Sequence, residues 1–101
     1  MAQTNYERGV EKERLILETA ESLGYQAAMR TAGSHGPFDV ILLSPLGVRL
    51  IQVKRCKKFS QSGFDKDREK IQELVKPKGS ISFEIWVWQD YKGWIRQEVI
   101  Q

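Results

Sequence analysis

At 101 residues, 41% hydrophobic and 29% charged, the chain is the size and composition of one small folded domain spanning 1–101. No apolar run approaches the roughly 18 residues needed to cross a bilayer, and one cysteine excludes an internal disulfide. The formal net charge is only +3, but residues 54–78 hold nine Lys or Arg against four acids, whereas 1–24 hold five Glu against three basic residues. A polyanion is the natural partner of such a segment; a solvated loop and helix is the alternative. Met1-Ala2-Gln3-Thr4 carries no basic-then-apolar leader, so a cytoplasmic location is expected, with no membrane partner.

In chain order, Thr4-Asn5-Tyr6-Glu7 reads as a capping box, opening a helix that should run to about Leu23 and stop at Gly24. Residues 25–30 read as a short strand and 31–37 as a Gly- and Ser-rich loop. Strands follow at about 38–43 and 48–54, joined by Ser44-Pro45-Leu46-Gly47. Residues 55–64 read as mobile, 65–76 as a second helix ended by Pro77 and Gly79, and 82–88 with 94–100 as a hairpin. The order α-β-β-β-α-β-β predicts a single α/β domain with one mixed five-stranded sheet flanked by helices.

Two places break the apolar pattern. Val10, Ile16, Leu17, Ala20 and Leu23 form the stripe of the first helix, and Glu13 points along it. A carboxylate there requires a partner or a metal, or else swings to solvent at the stripe edge, because a bare buried charge costs several kcal/mol. In the hairpin, pairing Leu43 with Val48 sets Asp39 across from Gln52, with Lys54 on the same face. The alternative is that these positions fray into water at strand ends, and a slip of one residue would move Asp39 to the other face.

Pro37-Phe38-Asp39 followed by Gln52-Val53-Lys54 resembles the PD-(D/E)XK nuclease motif. Arg8-Gly9, Glu13-Arg14, Gly24-Tyr25, Arg30-Thr31-Ala32-Gly33-Ser34, Asp39 and Gln52-Val53-Lys54 follow the order and spacing of archaeal-type Holliday junction resolvases. The resemblance covers roughly residues 6–58, and Gly93-Trp94-Ile95-Arg96 is similar to the family's last strand.

The resemblance implies a restriction-endonuclease-like fold and a Mg²⁺-dependent endonuclease that hydrolyses branched DNA such as a four-way junction, with Mn²⁺ able to substitute. Carried over, Glu13, Asp39 and Gln52 become metal ligands, with the carbonyl of Val53 completing the protein's share. Lys54 orients or helps deprotonate the attacking water, Arg30 and Ser34 hold the scissile phosphate, and Arg14 contacts the backbone. Such enzymes act as homodimers, because two opposed strands are cut symmetrically. The departure is Gln52, where the family most often has Glu; an amide oxygen binds Mg²⁺ without contributing charge. An attenuated or inactive DNA-binding module of the same fold, and a related nuclease acting on flaps or single strands, are the alternative readings.

Beyond the motif, Arg8, Arg55, Lys57 and Lys58 are expected at DNA phosphates, and the loop residue His35 at DNA or solvent. Cys56 is expected to be an incidental thiol. Gly9, inside a helix, suggests a close approach by a phosphate or another backbone, or is simply tolerated. Trp86 and Trp88 alternate with Phe83, Ile85 and Val87, so both faces of one strand are apolar; a dimer contact or core packing against the second helix would account for this.

Overall fold

A computed structural model of the chain describes residues 4–31 and 37–101, with the side chains of Asn5 and Tyr6 excepted. Helix α1 spans Asn5–Ser22 and helix α2 Gln61–Gln72; the strands are β1 (Ala27–Arg30), β2 (Val40–Ser44), β3 (Gly47–Cys56), β4 (Ile81–Gln89) and β5 (Gly93–Val99). They form one sheet in the order β1-β2-β3-β4-β5. Only β3 and β4 run parallel, and α2 makes the crossover between them. The fold is therefore a mixed five-stranded sheet between two helices, in the element order read from the sequence.

Local chemistry sets the helix ends. The Thr4 hydroxyl accepts the Glu7 N–H at 3.1 Å, capping α1, and Gly24 takes the left-handed conformation (φ 85°) that ends it. A second cap went unrecognised: the Ser60 hydroxyl accepts the Gly63 N–H, so α2 starts at Gln61, four residues earlier than expected, and stops at Gln72. The segment 55–64, expected to be mobile, thus comprises the end of β3, a link over 57–60 and the first turn of α2. The hairpin between β2 and β3 needs Gly47, where φ is 145° and a Cβ would fall on the Ser80 carbonyl oxygen.

Each helix covers one face. Ile16 and Ala20 of α1 pack on Val40, Leu42, Ile51 and Trp86, while Phe64 and Ile71 of α2 pack on Phe83, Ile85 and Val87. Both apolar faces of β4 are accounted for in this way. Trp86 is buried beneath the first helix, not the second, and stacks edge-on with Trp94, which in turn meets Trp88. The tryptophan face is therefore core at Trp86, not a surface left for another subunit. Gly9 has no described atom near its missing Cβ, so no described backbone requires a glycine there.

At the far end of the α1 face, Glu84 is almost fully buried and fully partnered. Arg49 grips both of its oxygens at 2.7 Å, and Ser82 and the Trp86 indole donate to the same carboxylate. Burial acts to raise the Glu84 pKa, but these donors outweigh it and hold the carboxyl below its ordinary value. Hydrogen bonding to Glu84 likewise pushes Arg49 up. Among the described residues no helix is long and apolar enough to cross a membrane.

Candidate active site

The hairpin register matches the expected one as far as Val40, which pairs with Ile51. At Asp39 it departs. The Asp39 N–H donates to the Ile51 carbonyl at 2.8 Å, so Asp39 and Val40 both face Ile51, the two-against-one arrangement of a bulge. Asp39 therefore does not lie squarely across from Gln52. Its carboxylate turns back onto β3 and accepts the Val53 N–H at 2.9 Å. An extra residue re-aims a side chain in this way without altering the rest of the ladder.

That turn brings Asp39 into a set of charges from three other elements. Burial raises its pKa, as does the nearby Glu13 carboxylate, against the Val53 hydrogen bond and the positive charges of Arg30 and Lys54. Glu13 reaches the site from the α1 stripe and is held by Arg30 Nε at 2.9 Å, both side chains being more than four-fifths buried. The stripe carboxylate thus has a partner on β1, at the strand end beside Asp39. Thr31 closes the same corner: its N–H donates to the Asp39 carbonyl and its hydroxyl to that of Phe38.

Gln52 and Lys54 alternate with Ile51 and Val53, so they occupy the α2 face of β3, and Lys54 is ion-paired with Asp67 of α2. Asp67 was missed from sequence. With α2 starting at Gln61, Phe64, Asp67 and Ile71 fall at helical spacing on the sheet-facing side, which marks Asp67 by the same logic as Glu13. The late helix start concealed it as an ordinary first-turn acid.

The remaining expected residues divide clearly. Arg14, Lys57 and Lys58 are exposed, as a phosphate contact requires. Arg55 is not: its side chain is 9% exposed and its guanidinium is bound through two nitrogens to Asp90 in the β4–β5 turn. Arg8 is half-buried beside it in a cleft that Trp88 and Tyr91 also line. Burial pushes the Cys56 thiol up despite the neighbouring cations, and it donates to the Trp88 carbonyl, consistent with an unreactive thiol. Ser34 and His35 lie outside the described residues.

The donor chemistry suits a hard divalent ion. Two carboxylates are close enough for one to raise the other's pKa, and a shared cation would relieve that repulsion. Among the described residues no three His, Cys, Asp or Glu side chains converge, and Gln52 sits on the α2 face of β3, the face away from α1. Compared with known proteins, the chain matches no family model and has no significant match among curated proteins.

Proposed function

We propose that the protein is a metal-dependent endonuclease acting on branched DNA, most simply a four-way junction, as the resemblance to archaeal-type resolvases implies. The observation that carries this reading is the bulged Asp39, its carboxylate docked on the backbone between Gln52 and Lys54 and within the field of Glu13. Glu13 and Asp39, with the Gln52 amide and the Val53 carbonyl, are the groups that would hold Mg²⁺ or Mn²⁺. A bound cation of this kind lowers the pKa of a water and neutralises charge developing on the phosphate.

The chain's own residues supply the rest. Arg30 fixes the Glu13 carboxylate and carries positive charge toward the scissile phosphate, with Ser34 assigned to the same role. Lys54, released from Asp67, orients the attacking water. Exposed Arg14, Lys57 and Lys58 bind backbone phosphates without reading sequence. Two opposed cuts call for two such sites, hence a homodimer, working in the cytoplasm where DNA is handled.

The Lys54–Asp67 pair and the neutral Gln52 favour one second reading, a DNA-binding module of the same fold with attenuated cleavage. Incubation with four-way junction, duplex and single-stranded DNA, in Mg²⁺ and in EDTA, separates the two. Paired symmetric nicks on the junction in Mg²⁺ alone support the nuclease. Junction binding without nicking at millimolar metal transfers the conclusion to the binding module.

A further inference from the structure

Beside the candidate active site, α1 and the β4–β5 turn enclose an open cleft of about 340 Å³ that the cleavage chemistry does not use. Lys12 sets its ammonium 4.2 Å from the centre of the Trp88 ring, and Arg8 stands one turn earlier on the same helix face. Opposite them, Tyr91 is fully exposed, with a φ of 66° that a residue with a bulky side chain rarely adopts. Asp90 is fixed by Arg55, so the turn that presents Tyr91 is braced from β3. The β4–β5 pairing is bulged at this end, where Trp88 meets Trp94 and Ile95 is the extra residue.

We propose that this cleft holds an unpaired nucleobase of the DNA strand next to the cut, with Tyr91 as the stacking platform and Arg8 and Lys12 on the adjoining phosphates. The inference rests on the nucleic-acid reading above and names the strand feature that the site recognises. An exposed aromatic beside cations is the arrangement that binds single-stranded nucleic acid, since every base offers a π-face. Glu11 and Asp90 in the same lining make the cleft a poor site for a bare anion, whereas the neutral face of a base meets no such repulsion. Arg8 precedes Glu13 by five residues, about 7.5 Å along the helix axis, and Lys12 is the immediate neighbour of Glu13, so the cleft adjoins the candidate site along α1.

The test uses the full chain carrying Asp39→Asn, in EDTA, and measures anisotropy of a short labelled oligothymidylate and of an abasic oligomer of equal length. Tighter binding of the oligothymidylate is expected, with Tyr91→Ala weakening it about tenfold or more, leaving the abasic oligomer unaffected, and Tyr91→Phe restoring it. Equal affinity for the two oligomers, or oligothymidylate binding that ignores Tyr91→Ala, overturns the proposal. Failure of the nuclease reading shows separately, as absence of metal-dependent nicking by the unsubstituted protein, and leaves a Tyr91-dependent preference standing.

Discussion

Lys54, the lysine of the Gln52-Val53-Lys54 motif, is ion-paired with Asp67, thirteen residues further along on the helix that crosses from β3 to β4. Under the proposed nuclease reading, Lys54 would exchange the Asp67 carboxylate for a DNA phosphate. Lys54 is 41% exposed, so solvent screening keeps the resting pair weak. Asp67→Asn should therefore change stability by less than about 1 kcal/mol in urea unfolding. Relieved of competition, Lys54 should bind phosphate more readily. Anisotropy against salt in EDTA should show tighter junction binding and a slope steeper by about one counterion.

Asp39→Asn separates the proposed metal-binding role from the structural one. The asparagine carbonyl oxygen can still accept the Val53 N–H, so the bulge and the fold persist, and thermal unfolding should shift by only a few degrees. Cleavage of a four-way junction should fall by about a hundredfold or more, because the charge that would attract the cation is gone. Retained cleavage would move the site elsewhere.

Gln52→Glu adds the charge that the resolvase-like pattern usually carries. The expected outcome is half-maximal nicking at lower Mg²⁺, with the maximal rate little changed. A side chain with no part in holding the cation would leave the metal titration where it was.

Glu84 governs acid stability. Its carboxyl titrates below the ordinary range because Arg49, Trp86 and Ser82 all donate to it. A depressed folded pKa stabilises the fold above the unfolded value of about 4.3, and this contribution is lost as pH falls through the lower folded value. Urea midpoints should thus drop as pH falls below the unfolded-state value and through the lower folded one. Glu84→Ala leaves Arg49 with the Tyr25 hydroxyl but no carboxylate, and because Arg49 is one-third exposed the cost at neutral pH should fall below the ~3–5 kcal/mol of a fully buried pair. That variant should also lose much of the acid-induced drop.

Much of this molecule follows from local sequence rules. Thr4 with Glu7, Gly24, the alternating runs around Ser44–Gly47 and the final hairpin determined the element order and the register up to Val40, because caps, turns and period-two patterning are properties of a few adjacent residues. The break in the α1 stripe marked Glu13 for the same reason. Tertiary structure alone decided the remainder. The bulge at Asp39 depends on which carbonyl its N–H finds across the hairpin, and no single-strand pattern encodes an extra residue there. The partners of Lys54 and Arg55 lie on α2 and the β4–β5 turn, 13 and 35 residues away, so their charges reveal nothing in isolation. Trp86 was apolar from the outset, but only the packing of α1 over the sheet made it core. The basic excess was legible as composition. Which of its cations face water and which are already neutralised is a matter of three-dimensional proximity, because an ion pair is defined by distance in space and not by position in the chain.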